Sequence, residues 1–444
     1  MYCKLSSFLV VGLKKSGVAV CKLLALKGAT VYAFDNSATS AQNAYDELVG
    51  LGVQMVGDAV KTLEIVDVVV LSPAVPIDHE ISVLAKSMKK RVIGEMELSS
   101  LFLTSPIIGV TGTNGKTTTC SLISHILSEN KVENSLLGNV GTPLSTYFLE
   151  KKNSELVVLE ISSFQLETIY SLTPHIACVL NVTPDHLDRH YNMDNYTFLK
   201  KKLLLNLRES EFAVLNYEDE IVKTFANETR AKTIWFSSKQ KVDGGYLENN
   251  KIYYFDEFIA NLEDLSLFGE HMIENFLASL CALKLLGLDS SEILKGLSNF
   301  KGVKHRLESV ANVGGVEFIN DSKSTNASSC ITAIRAVKKP TTLIIGGYEK
   351  GLDYSALMRE IKNSQFIKSL VITGKSARRM YETAVKEDVE NVSLVSDFTC
   401  AIKVANLLTK SGETVLFSPA TSSFDLFLDF EERGDKFVQV VKSL

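Results

Sequence analysis

Residues 106–127 read PIIGVTGTNGKTTTCSLISHIL. At their centre, Gly112-Thr113-Asn114-Gly115-Lys116-Thr117-Thr118 places a lysine and hydroxyls directly behind two glycines. These residue types suit a nucleotide's phosphates. Successive backbone N–H groups and a helix N-terminus hold phosphate oxygens, the lysine reaches the outer phosphates, and the hydroxyl after it ligates Mg²⁺. Glycine lets the backbone approach without side-chain interference. The common form of this loop has its first glycine five residues before the glycine that precedes the lysine. Here that position is Val110, and glycines fall at 109 and 112. The context is nevertheless that of a phosphate loop: an apolar strand, IIGVT, a Gly/Thr/Asn-rich turn, and an amphipathic helix, TTTCSLISHILSEN.

Other groups able to do chemistry also follow apolar runs. Glu160 closes ELVVLE, where a carboxylate at a strand end near a phosphate loop is placed to ligate a metal. In LNVTPDHLDRH, His186 sits among Asp185, Asp188 and Arg189, a set able to touch a second Mg²⁺ or simply to cap a charged loop. In NYTFLKKKLLLN, the adjacent lysines 200, 201 and 202 read, on composition alone, as a solvated helix face. Asn320-Asp321-Ser322-Lys323 follows GVEFIN and suits either ribose and phosphate contacts or an N-cap cluster. Arg306 in HRLE offers phosphate charge, and Lys350 stands in the Gly-rich GGYEKGLDY. The segment SPATSSFDLFLDFEERGDKF near the end of the chain is a polar loop and an aromatic, acidic helix, readable equally as packed amphipathic structure. Near the start, FLVVGLKKSGVAVCKLLALKGATVYAFDN gives a strand, a turn with Gly12 and Gly17, a helix, and a second strand ending at Asp35. That is a dinucleotide-type plan, but Lys14 replaces its middle glycine. A single nucleotide's diphosphate still fits such a helix N-terminus; a structural turn without ligand is the alternative.

The elements that must position these groups are legible as alternation. Apolar runs SFLVVG, TVYAFD, VDVVVLS, PIIGVTG, ELVVLEIS, HIACVLNV, FAVLNY, GVEFINDS, TTLIIGG, SLVITG, VSLVS and ETVLFSP are separated by helix-length segments. Runs apolar on both faces predict parallel sheets covered by helices, an α/β fold. RVIGEMELSSLFLTSP and LSNFKGVKHRLE read as connectors, and 444 residues suggest about three domains. A net charge of −5 leaves no basic footprint for nucleic acid. The seven cysteines are scattered and form no CxxC pair, which predicts reduced, cytosolic thiols. The apolar run near the start is brief and lacks a small-residue cleavage site, so no signal peptide is expected. No apolar stretch approaches the ~18 residues of a membrane span.

On these motifs the sequence resembles the Mur ligase family of ATP-dependent amide-forming enzymes. That family's loop reads like GVTGTNGKTTT, with its early glycine where Gly112 stands. LEISSFQLE, NVTPDHLDRH, GVKHRLE, INDSKSTN and SPATSSFDLFLDFEERGDKF appear in the family's order over nearly the whole chain. The resemblance implies three domains: a Rossmann-like, UDP-substrate-binding domain at 1–93, a P-loop ATPase-like parallel sheet binding ATP at 94–301, and a Rossmann-like, amino-acid-binding domain at 302–444. SSFQLE and SSFDLF…FEERG point within the family to the member that adds D-glutamate to UDP-N-acetylmuramoyl-L-alanine, a step of cytoplasmic peptidoglycan precursor synthesis. ATP would phosphorylate the substrate's terminal carboxylate, and the D-glutamate amine would attack the acyl phosphate. The tetrahedral intermediate would then collapse to amide, ADP and phosphate. A monomer acting with ATP and two Mg²⁺ ions is implied, with no membrane or nucleic-acid partner.

The family's site residues carry over one by one. Gly112, Thr113, Asn114, Gly115, Lys116, Thr117 and Thr118 match the ATP loop, and Asn275, Arg306 and Asp321 match further ATP contacts. Thr117 and Glu160 match ligands of the first Mg²⁺ and His186 of the second. The family carbamylates a lysine four residues after a tyrosine, which from Tyr196 is Lys200, with Lys201 the weaker choice. Lys116, His186, Lys200 and Lys323 form the catalytic set. Gly12, Ser16, Gly17, Asp35, Asn36, Asn139 and His186 match the UDP-muramyl side. Lys323, Thr325, Lys350, Ser423 and Phe430 match the D-glutamate pocket. Two positions depart: Met272 stands where the family has asparagine after its histidine in GEHMIEN, and GLKKSG is less glycine-rich than usual.

Overall fold

Every apolar run named above forms a strand in the computed structural model, which describes residues 6–150, 154–265, 270–349 and 351–444. The chain divides into two compact units, Met1–Leu267 with Ile273–Phe300, and Phe268–Met272 with Lys301–Leu444.

The first unit holds two sheets. Strands β1 (Ser7–Val11), β2 (Thr30–Phe34), β3 (Gln54–Met55), β4 (Val68–Leu71) and β5 (Arg91–Gly94) form a parallel sheet in the order β3-β2-β1-β4-β5. Its two faces bury separate apolar clusters, one around Val10, Val20 and Leu24, the other around Leu9, Leu63 and Val69. The second sheet comprises β6 (Ile107–Thr111), β7 (Asn134–Gly138), β8 (Leu156–Glu160), β9 (Ile176–Val179), β10 (Phe212–Asn216), β11 (Lys232–Ser237), β12 (Gly244–Glu248), β13 (Lys251–Tyr254) and β14 (Glu257–Asn261). Their order is β14-β13-β12-β11-β10-β9-β6-β8-β7, and apolar clusters again cover both faces. The second unit holds β15 (Glu308–Val313), β16 (Val316–Asn320), β17 (Thr341–Gly346), β18 (Ile367–Thr373), β19 (Val392–Leu394) and β20 (Thr414–Phe417), ordered β15-β16-β20-β17-β18-β19.

Two expectations need correction. The sheets are not wholly parallel: β13 and β14 extend the second sheet as antiparallel strands, and β15 runs antiparallel to β16. Tight turns force this. Asn249 and Asn250 both take positive φ between β12 and β13, as do Gly314 and Gly315 between β15 and β16. Two-residue turns of this kind match the strand twist and reverse the chain at once. Nor is RVIGEMELSS a connector. Val92 and Ile93 are buried in β5, and Glu95–Ser100 is a short buried helix.

That helix fastens the first sheet to the second through carboxylates. Glu95 Oε1 accepts from Ser145 N at 2.7 Å and Ser145 Oγ at 2.6 Å; burial pushes its carboxyl above the usual carboxylate range. Glu97 accepts from the backbone N–H groups of Tyr170 (3.0 Å), Ser171 (3.0 Å) and Leu172 (3.3 Å), and from Ser171 Oγ (2.6 Å). Buried donors left without an acceptor are expensive. Glu97→Ala strands these donors and is expected to lower the unfolding free energy of the chain by roughly 2–4 kcal/mol in urea titration; an unchanged midpoint would contradict that role.

Candidate active site

β6 lies between β8 and β9, where the strand order of the second sheet reverses, the position at which open α/β sheets bind ligands. The glycine loop fills the exit from β6. Val110 is fully buried within the strand, paired with Glu160 on one side and Cys178 on the other. The backbone therefore does not leave the sheet until Gly112, and that is where a glycine is needed. Gly112 and Gly115 have φ of +157° and +87°. A Cβ on Gly115 would lie 2.3 Å from Asn275 Oδ1, so the helix Glu270–Leu285 presses directly on the loop. Lys116 Nζ donates to the carbonyls of Gly112 and Thr113, each at 2.8 Å, and folds the loop around its own lysine. Asn181, just past β9, accepts from Asn114 N at 2.8 Å. Thr113 Oγ1 lies 3.1 Å from the Tyr196 hydroxyl. Thr117 and Thr118 are buried in the first turn of Lys116–Glu129.

Glu160 ends β8 and is 1% exposed. Its Oε1 accepts from Asn139 Nδ2 at 2.8 Å, and its Oε2 is buried with no hydrogen-bond partner among the described residues. An orphaned carboxylate oxygen beside a phosphate loop fits a cation. Among the described residues no group of three or more His, Cys, Asp and Glu forms a ready-made cage. Mg²⁺ characteristically takes one or two carboxylates and completes its octahedron with phosphate and water oxygens, so the donor set here is compatible with it.

The three lysines of Met193–Leu205 separate sharply. Lys201 pairs with Glu228 at 2.7 Å, and Lys202 donates to Leu166 O at 2.6 Å. Lys200 is 1% exposed, with Nζ 4.5 Å from the Tyr196 ring centroid. The solvated-face expectation is thus wrong for Lys200: it lies on the helix's buried stripe with Tyr196, Leu203 and Leu204, at helical spacing. Burial, reinforced by the charge of Lys116 and opposed by Asp185, holds its ammonium well below the usual lysine range.

His186 has φ +53° and its ring centroid lies 4.7 Å from that of Phe164. A framework of long-range partners stands behind it. Arg189 forms a two-pronged pair with Glu167 (2.8 and 2.6 Å) and stacks 4.2 Å from the Phe164 centroid. The same guanidinium donates to Val75 O at 3.2 Å, which ties the His186 segment to the loop after β4. His190 is 3% exposed, and burial pulls its pKa down to about 4, so it is a neutral partner for Ser163 Oγ at 3.0 Å.

At the first sheet, Gly12 has φ +92° and a Cβ there would meet Val75 Cγ2 at 2.8 Å; a Cβ on Gly17 would lie 1.7 Å from Gly12 O. Asp35 holds this turn, accepting from Leu13 N at 2.6 Å and Ser37 N at 2.8 Å. Asn36 Nδ2 lies 3.3 Å from His79 Nε2. Ser16 is half-buried in the first turn of Lys15–Leu26, whose N-terminus has no side-chain cap.

The remaining positions belong to the second unit. Asp321 is 1% exposed beyond β16 and accepts from Ser418 Oγ at 2.8 Å and Leu307 N at 3.2 Å. Burial raises its carboxyl above the usual range, with Arg306, 3.9 Å away, pulling the other way. Lys323 Nζ lies 4.6 Å from the Phe430 centroid. Thr325 is half-buried and Ser423 buried. Lys350 lies outside the described residues, as does Gly269 at the start of GEHMIEN; Met272 falls in the first turn of Glu270–Leu285.

Residues 110–283 match the family described as Mur ligase middle domain, and residues 305–421 the family described as Mur ligase, glutamate ligase domain. The protein named UDP-N-acetylmuramoylalanine--D-glutamate ligase in Caldanaerobacter subterraneus subsp. tengcongensis is 38% identical over 441 residues, covering 98% of each chain. Its namesake in Clostridioides difficile is 39% identical over 444 residues, again covering 98% of each. The MurF ligase of Thermotoga maritima, solved with ADP, shares the fold with a TM-score of 0.63 at 17% identity, over 100% of this chain and 99% of its own. A phosphate loop whose glycine waits for the end of β6, a strand-end glutamate beside it and end-to-end likeness to such relatives leave one assignment: the chain belongs to the Mur ligase family.

Proposed function

We propose that the chain joins the amine of D-glutamate to the terminal carboxylate of UDP-N-acetylmuramoyl-L-alanine at the expense of ATP, in the bacterial cytoplasm. The observation that carries this is near-full-length identity of 34–39% to relatives that bear the name of that ligase. Residues 1–93 would take the UDP moiety, 94–301 ATP and 302–444 the amino acid.

A carboxylate is a poor electrophile until its oxygen becomes a leaving group. Phosphoryl transfer asks the protein mainly for positioning and neutralisation of charge. Lys116 brings a cation to the phosphate loop, and the buried Thr117 and Thr118 start the helix behind it. Thr117, Glu160, His186 and modified Lys200 would hold two Mg²⁺, which when bound neutralise phosphate charge. Gly12, Ser16, Gly17, Asp35, Asn36 and Asn139 would orient the nucleotide sugar, while Asn275, Arg306 and Asp321 would contact ATP. Lys323, Thr325, Lys350, Ser423 and Phe430 would receive D-glutamate, whose carboxylates pair with the lysines. The acyl phosphate carbon then accepts the amine, the amine loses a proton, and expulsion of phosphate leaves the amide.

The buried amine of Lys200 supports its carbamylation. A neutral amine can attack CO₂: a nitrogen–carbon bond forms, one proton leaves, and a carbamate anion results. The carbamate's negative charge is attracted to Lys116, which would repel the ammonium form.

Phosphate release is expected with ATP, Mg²⁺, UDP-N-acetylmuramoyl-L-alanine and D-glutamate, and not when L-glutamate, L-alanine or a diamino acid takes the place of D-glutamate. Release with another amino acid would overturn the acceptor while keeping the chemistry. Lys200→Ala is expected to lower turnover by roughly 100-fold, with no recovery in excess bicarbonate. In the unaltered chain, bicarbonate is expected to restore activity lost after CO₂ depletion at mildly acidic pH. Full activity of Lys200→Ala would remove the carbamate.

A further inference from the structure

Among the described residues Arg433 heads the largest fully buried side chains, at 1% exposure, yet the activity proposed above gives it no task. It projects from the first turn of Phe430–Val441. Among the described residues no carboxylate lies within ion-pair distance of it; Asp425 and Asp321 act on it only from further away. Its donors go to uncharged oxygens. Nε donates to Ser322 Oγ at 3.0 Å, Nη2 to Ser322 O at 2.8 Å, and Nη1 to Thr421 O at 2.9 Å. Ser322 Oγ in turn donates to Phe430 O at 2.8 Å. Nη1 also occupies the space above Gly347, where a Cβ would lie only 2.9 Å from it.

These contacts fall in three different loops, those leaving β16, β20 and β17. A charge buried without a counter-ion is costly, and apolar packing or a neutral amide would brace one loop at less expense. A guanidinium differs from both in its rigid, planar fork, which fixes several acceptors at set angles at once. Here the fork spans the loop of Lys323 and the loop of Ser423 while packing on a third.

We propose that Arg433 is a positioning residue that sets the mutual register of the three strand-end loops forming the amino-acid pocket, and so governs affinity for the acceptor amino acid. This rests on the activity proposed above. Arg433 touches no substrate itself; it acts through Ser322 and Thr421 on their neighbours.

The test is steady-state kinetics of Arg433→Lys, which keeps the charge and loses the fork. KM for the acceptor amino acid is expected to rise by at least ~10-fold, the scale of a lost charge-assisted hydrogen bond, while KM for ATP and for the nucleotide sugar stays where it was. A lowered melting temperature with acceptor KM unchanged, or an equal rise in all three constants, would overturn the proposal. Should Arg433→Lys not accumulate as folded protein, Ser322→Ala removes the Nε acceptor with the charge in place and must raise the acceptor KM selectively; no selective rise there overturns the proposal as well. Each variant is compared on whichever amino acid the unaltered chain turns over. Refusal of D-glutamate by the unaltered chain therefore counts against the proposed substrate and not against Arg433.

Discussion

An amine buried within the field of another cation cannot hold its proton at ordinary cost. Lys200 is such an amine, with Lys116 as the nearby cation, and the neighbouring structure follows from that conflict. Tyr196 covers the amine with a ring face, a surface that tolerates either protonation state. The Tyr196 hydroxyl meets Thr113, so the phosphate loop and the lysine's helix are fixed to each other. Lys116 turns back onto two loop carbonyls, which offset its charge locally. Glu160 contributes a negative charge with one oxygen unsatisfied by the protein. The proposed roles of phosphate, cation and CO₂ rest on this arrangement of charges.

The same economy shapes the three sheets. In each, the proposed site residues lie where parallel strands end, and backbone donors and helix N-termini converge there. Close approach is achieved by glycine in different ways. At Gly12 and Gly115 it admits a left-handed turn with a neighbour hard against it, whereas Gly17 lets a helix settle onto the turn before it. Carboxylates do structural work as often as chemical work: Asp35 braces a turn, and Glu97 collects the N–H groups of a segment that has no strand to pair with.

Much of this was legible in the residues. Apolar runs marked the strands because both faces of each sheet are covered, and the phosphate loop announced itself by composition. The strand Arg91–Gly94 did not, since four residues ahead of a helix carry no periodicity. The antiparallel additions were hidden behind Asn249-Asn250 and Gly314-Gly315, pairs whose reversal of the chain depends on both residues taking positive φ. Three successive lysines looked alike as letters; the family spacing from Tyr196 singled out Lys200, and the structure shows that it is the one facing inward, with Leu203 and Leu204. The framework role of Arg189, and His190 and Arg433 altogether, escaped notice for a common reason. Their partners are backbone oxygens, a serine, or a glutamate more than twenty positions away, and such partners leave no local pattern.

The contact between Gly115 and Asn275 reaches beyond geometry. The two positions are 160 residues apart in the chain, yet any side chain grown on the first must displace the second. A bulkier residue at 275 would press on the loop leaving β6, and a side chain at 115 would press on Asn275. The steric fit at this one point therefore couples two segments that lie far apart in the chain.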